Sequence, residues 1–275
     1  MNVKDITFEI MASYATACRD LQAEIARLGA EGYDMLVVPS RGAHPFLEAA
    51  RAFDKLRPGV DWRQVYESPF YRMGELYLPF TADCEDDGPI SSGDIRGYWS
   101  RMLAAMIRKD AQDPAYRLHE FLRARAGRLT IGDNRIPSDS TGRFIFVDTV
   151  LSGRAISEIF TAFERHGLTD CHFVLLVDES GRGLKPAYAA SIRRMVSANR
   201  ATVINLEKIF TEDQGPAMSG IWTVSFPELM AEARRRIPEL AESGETGAGR
   251  SITKSADGRT TRTWTTPWPS ACSGR

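Results

Sequence analysis

The chain has 275 residues, 43% hydrophobic and 26% charged, with a formal net charge of -1, which is room for one large globular domain. That balance excludes a general nucleic-acid surface and attraction to anionic lipid, and no apolar run approaches the ~20 residues of a membrane span. Cys18, Cys84, Cys171 and Cys272 are scattered with no CxxC pair, which argues against a zinc site or a disulfide framework. The first residues, MNVKDITFEI, lack the basic-then-apolar order of a signal peptide, so a cytoplasmic location is expected.

In chain order, Leu21, Ile25 and Leu28 at helical spacing predict a helix over 13–28, stopped by Gly29 and Gly32. DMLVV (34–38) predicts a buried strand, and HPFLEAARAFDKL (44–56) a helix with Pro45 in its first turn. RQVYES (63–68) and ELYLPF (75–80) read as two strands around a turn near Met73-Gly74. CEDDGPISSGD (84–94) reads as a polar loop, and an exposed acidic loop accounts for Asp83, Glu85, Asp86 and Asp87 better than a metal site. Helices follow over 95–110 and 114–126, a strand over 144–147, a helix ended by Gly167, a strand over 172–177, a helix over 186–199 and a strand over 201–206. Continuous apolar strands alternating with helices predict an α/β fold on a Rossmann-like parallel sheet. On this reading 1–241 is the domain, 57–142 is an inserted hood or lid over the sheet's carboxyl edge, and 242–275 is a C-terminal extension. The extension is either flexible or a hairpin around Asp257-Gly258.

The most informative stretch is RFIFVDTVLSGRAISEI (143–159). An apolar strand meets Asp148, then Ser152-Gly153 forms a tight turn into a helix beginning near Arg154. The first N–H groups of a helix have no internal partner, and the helix dipole there favours an anion. A carboxylate beside such a cradle repels phosphate, so accepting hydrogen bonds from sugar hydroxyls is its natural task. An ordinary strand-to-helix connection is the plain alternative. His44, His119, His166 and His172 show no metal-ligand spacing, and Trp222 reads as a packing residue.

Val147-Asp148-Thr149-Val150-Leu151-Ser152-Gly153-Arg154-Ala155 resembles the VDDVLTTGxT signature of the type I phosphoribosyltransferases. Thr149 stands where that signature has its second acid, and one residue fewer separates acid from glycine. VVPSRGAHPF (37–46) resembles the family's earlier strand-and-turn, with Ser40, Arg41 and Gly42 in the turn. The resemblance covers 34–206. It implies that the chain binds phosphoribosyl pyrophosphate (PRPP) or a nucleoside monophosphate and, with Mg²⁺, transfers phosphoribosyl to a nitrogenous acceptor with release of pyrophosphate. It implies that Asp148 and Arg41 are catalytic. Thr149, Val150, Leu151, Ser152, Gly153, Arg154 and Ala155 would surround the 5-phosphate and ribose, with Ser40 and Gly42 beside the pyrophosphate. The family's 6-oxopurine members carry a lysine after the next strand; Asp178, Glu179 and Ser180 stand there instead and suit an amino group better than a carbonyl. The acceptor stays unnamed, and self-association into a homo-oligomer is allowed. Two other readings stay open: a non-catalytic sensor of PRPP or nucleotide, alone or within a larger defence or biosynthetic assembly, and a phosphate-ester hydrolase using Asp178 as a second acid.

Overall fold

The computed structural model describes the backbone of residues 8–39, 42–54, 61–78, 80, 91–126, 139–178, 184–207, 209, 252–254 and 260–262. The chain divides into two compact units, Met1–Arg234 and Arg235–Arg275.

In the first unit, helix α1 (Phe8–Ala30) precedes strand β1 (Met35–Val38). Helices α2 (His44–Asp54), α3 (Trp62–Glu67) and α4 (Pro69–Arg72) lead to β2 (Gly74–Tyr77). Helices α5 (Ser92–Arg108) and α6 (Pro114–Ala126) lead to β3 (Phe144–Val150). Helix α7 (Arg154–His166), β4 (Cys171–Asp178), α8 (Pro186–Ser197) and β5 (Ala201–Leu206) complete the unit as described. The five strands form one sheet in the order β2-β1-β3-β4-β5, and every pairing is parallel. The four expected strands at 35–38, 144–147, 172–177 and 201–205 are therefore members of one parallel sheet.

Burial on both faces explains why these strands carry no polar alternation. Ile145, Val147, Val174, Leu176 and Ile204 pack under α1 and α2. Phe144, Phe146, Phe173 and Leu175 pack under α5, α7 and α8. Phe163 of α7 meets Phe144 and Phe146 edge-on, with ring centroids 5.6 and 5.4 Å apart; such geometry adds to the stabilisation from burial alone. Helix α1 presents Leu21, Ile25 and Leu28 to the core, each fully buried. Gly29 lets α4 approach it, since a Cβ there would lie 2.4 Å from Pro69 Cβ. Among the described residues no helix is long and apolar enough to cross a membrane.

The order of strands fixes where a ligand would sit. From β1 the chain moves outward to β2, returns past β1 to β3, and then continues outward through β4 to β5. The reversal puts α2 on one face and α5, α7 and α8 on the other. It also places the switch point between the carboxyl ends of β1 and β3, where doubly wound sheets bind ligands.

Two expectations change. Residues 63–68 are not a strand. They lie in or next to α3, where the Asp61 side chain accepts a hydrogen bond from the Arg63 N–H at 2.9 Å and caps the helix. The cap overrides the strand preference of Val65 and Tyr66. Nor is 57–142 an insertion as a whole. Gly74–Tyr77 is a strand of the central sheet, paired with β1 from Met35↔Gly74 to Val38↔Tyr77. Helix α5 is the crossover that returns the chain from it, with Met102, Leu103 and Met106 buried against the sheet. A four-residue strand flanked by helices looks like part of a hood in sequence because its partner lies far away along the chain. Of the predicted loop at 84–94, residues 84–90 lie outside the described residues. Ser91 and Asp94 form a capping box that starts α5.

In the second unit, β6 (Ile252–Lys254) and β7 (Thr260–Arg262) pair antiparallel, Ile252 with Arg262 and Lys254 with Thr260.

Candidate functional site

The strand predicted to end at 147 continues to Val150, and this extension decides where Asp148 lies. Side chains alternate across a strand, so Asp148 shares a face with Phe144, Phe146 and Val150, which pack beneath α5, α7 and α8. Its carboxyl is 2% exposed. It is folded under the helical layer rather than projecting over the sheet edge. Its Oδ1 accepts the Thr149 N–H at 2.8 Å. Burial pushes its pKa up to about 7, while the Thr149 hydrogen bond and the Arg96 guanidinium pull it down. A carboxyl whose burial opposes its ionisation at the mouth of a βα turn is a candidate functional group.

The turn that follows is held from two sides. Ser152 Oγ accepts the Arg154 N–H at 3.3 Å, and Ser152 O accepts the Lys185 N–H at 3.1 Å, tying the turn to the start of α8. Gly153 caps α7 in the left-handed region, with φ +80°. A Cβ there would lie 2.7 Å from Leu184 Cδ1 and 2.9 Å from Tyr188 Cβ, so glycine is required by close packing against α8 and by a backbone conformation that side chains oppose. Beyond it, the N–H groups of Ala155 and Ile156 begin the helix where no intrahelical acceptor exists. Val150 is buried, and Leu151 packs partly on the opposite core. Thr149, where the signature carries its second acid, is half-buried.

Around the mouth of this turn, Arg154 meets Ser92 and Glu158, and Glu158 meets Arg96, three residues that sequence reasoning missed. Arg154 Nε donates to Glu158 Oε1 at 2.8 Å, and a second Arg154 nitrogen donates to Ser92 Oγ at 3.3 Å. Glu158 Oε2 pairs with Arg96 of α5, a residue only 4% exposed. The i,i+4 spacing of Arg154 and Glu158 was a visible signal. So was Arg96 itself, in line with the buried Ser100 and Leu103 on one helical stripe.

The second predicted loop begins where β1 ends. Gly42 is exposed and begins the turn into α2. Ser40 and Arg41 lie outside the described residues, as do Glu179 and Ser180. Asp178 Oδ2 accepts the Ile209 N–H at 3.0 Å, so this acid fastens the segment after β5 to the carboxyl edge. Among the described residues no cluster of three or more His, Cys, Asp or Glu could hold a metal ion. Glu158 is committed to two arginines and Asp148 is buried, so the residues at this turn do not fit a protein-held Mg²⁺. The chain matches no family model, no curated protein and no solved structure.

Proposed function

We propose that this chain is a phosphoribosyltransferase-like protein. The switch point between the carboxyl ends of β1 and β3 would bind PRPP, or the phosphoribose of a nucleoside monophosphate. One observation carries the reading. In a sheet of order β2-β1-β3-β4-β5, the two loops singled out in sequence follow β1 and β3, the pair of strands that flank the switch point. In the reaction, an acceptor nitrogen forms a bond to C1 of the ribose. The C1–oxygen bond to pyrophosphate breaks, and its electron pair leaves with pyrophosphate. The chain's contribution is positioning and charge. The α7 N-terminus and Arg154 face the 5-phosphate, while Asp148, buried beneath the turn, acts on the sugar through its charge rather than by direct contact. Arg41, with Ser40 and Gly42, holds the pyrophosphate end. Mg²⁺ would arrive on the ligand's own oxygens.

A non-catalytic sensor is the second reading. Burial of Asp148 and the threonine beside it favour it, because the sugar cation then meets little negative charge. Calorimetric titration with PRPP and Mg²⁺ tests binding, and pyrophosphate release with a panel of bases tests turnover. Wild type is expected to bind. Arg154→Ala is expected to weaken binding about ten- to a hundredfold, the loss of one charge-assisted hydrogen bond to the phosphate. Binding without pyrophosphate release would select the sensor. No binding of PRPP or of any nucleoside monophosphate would remove both readings.

A further inference from the structure

We propose that Glu158 is a positioning residue of this site: from one turn along α7 it holds the Arg154 guanidinium at the mouth of the β3–α7 turn, where the phosphate of a ligand would meet it. The inference rests on the reading above for the identity of the ligand, whereas the clasp rests on contacts within the ligand-free chain. An Arg–Glu pair at i,i+4 on an exposed helix face is ordinarily a loose contact of small effect. This pair is held more firmly, because α5 grips both of its members. One oxygen of Glu158 takes Arg154 Nε at 2.8 Å, and the other pairs with Arg96 of α5, which is 4% exposed. A guanidinium so buried keeps its partner in place, since separating the two would leave a buried charge unpaired. Arg154 also donates to Ser92 Oγ at the first position of α5.

The first turn of α5 lies against the same carboxylate: a Cβ placed on Gly93 would be 3.9 Å from Glu158 Oε2. Glu158 is thus fixed from inside by Arg96 and from above by α5, while the Arg154 side chain is 49% exposed and can be reached from solvent. A long arginine side chain loses rotamer freedom when a ligand immobilises it. Tethering Nε sets the guanidinium plane beforehand, so less freedom is lost on binding and the fork is aimed for phosphate geometry. The contact with Ser92, at 3.3 Å the longer of the two, is the one a phosphate oxygen would replace. Simple electrostatics runs the other way, because a carboxylate near a phosphate repels it. Glu158 therefore favours binding only through the arginine it holds, and that opposition gives the test its sign.

The probe is ribose 5-phosphate, titrated calorimetrically. Glu158→Gln should bind it about three- to tenfold more weakly than wild type, the coupling expected within one hydrogen-bonded network. Removal of a negative charge alone would tighten binding instead. In an Arg154→Ala background the same substitution should cause no further loss. In the ligand-free protein, the Arg154 Nε–H should exchange slowly with water by nitrogen-edited NMR, and Glu158→Gln should remove that protection. Unchanged or tighter binding by Glu158→Gln, a loss that persists without Arg154, or an Nε–H equally labile in both proteins overturns the proposal. If Glu158→Gln does not fold with Arg96 left unpaired, Glu158→Gln combined with Arg96→Met, which leaves the net charge unchanged, carries the same comparisons. Failure of wild type to bind ribose 5-phosphate or PRPP sinks the functional reading, and the Nε–H exchange then decides the clasp by itself.

Discussion

Asp148 and Gly153 are the two residues whose roles the fold redefines. A lone acid before a Ser-Gly turn reads in sequence as a group reaching outward. In the sheet its parity with Phe146 turns it inward, and burial pushes its pKa up to about 7. An acid that opposes its own ionisation gives little to stability, so packing alone does not account for Asp148. Gly153 reads as a ligand contact but serves φ +80° and the approach of Leu184 and Tyr188. Gly153→Ala should therefore destabilise the chain by roughly 1–3 kcal/mol in urea unfolding. Leu184→Ala should rescue part of that loss by removing the clash but not the backbone strain. If Gly153→Ala is as stable as wild type, the conformational assignment is wrong. For the same reason Gly153 substitutions cannot report cleanly on phosphate binding, whereas Arg154→Ala can.

At the scale of elements, α1 is fastened to the sheet by a buried polar chain. His172 of β4 meets Thr202 Oγ1 of β5 at 2.9 Å, and Thr202 donates to Glu24 of α1. Burial pushes His172 down to about 4. Burial opposes the charge on Glu24 as well, yet hydrogen bonds from Arg27 and Thr202 hold its carboxyl below the ordinary value. The hydroxyl in the middle serves two partners, so Thr202→Val should cost about 1–3 kcal/mol in thermal or chemical unfolding. Thr202→Ser should keep most of the stability. Equal stability of the valine and wild-type proteins would show that the chain of hydrogen bonds contributes nothing. This network lies toward the start of β4 and β5, the opposite end of the sheet from the switch point, and so separates fastening of the fold from the candidate site.

Across the whole molecule the two perturbed groups work against each other with pH. The folded Asp148 binds its proton more tightly than the unfolded one, so stability falls as pH rises from about 4 to about 7. The folded His172 binds its proton less tightly, so its contribution rises from about pH 4 to about 6.5. Their sum flattens the stability profile in a shared window. Asp148→Asn removes the falling arm. It should raise the melting temperature at pH 8, by an amount on the order of a few kcal/mol in stability, and change little at pH 4. The variant would then show the rising limb from His172 and Glu24 unmasked. A gain as large at pH 4 as at pH 8 would contradict the buried, proton-holding Asp148.

The sequence by itself determined the α/β class, the four strands β1, β3, β4 and β5, and the helices α1, α2, α5, α6, α7 and α8. Apolar runs such as Phe144-Ile145-Phe146-Val147 and stripes such as Ile156, Ile159, Phe160 and Phe163 are local signals of period and length. It also marked the β3–α7 turn, because an acid and Ser-Gly between strand and helix have a local chemical meaning. Only the tertiary structure decided that Gly74–Tyr77 belongs to the central sheet, since its partner Met35–Val38 lies across α2, α3 and α4 and pairing leaves no trace in a four-residue string. The direction of Asp148 likewise depended on how far β3 continues, as one residue of parity exchanges the two faces. The convergence of Arg96, Glu158 and Arg154 required α5 and α7 to lie side by side, a packing of non-neighbouring elements that composition and spacing do not encode.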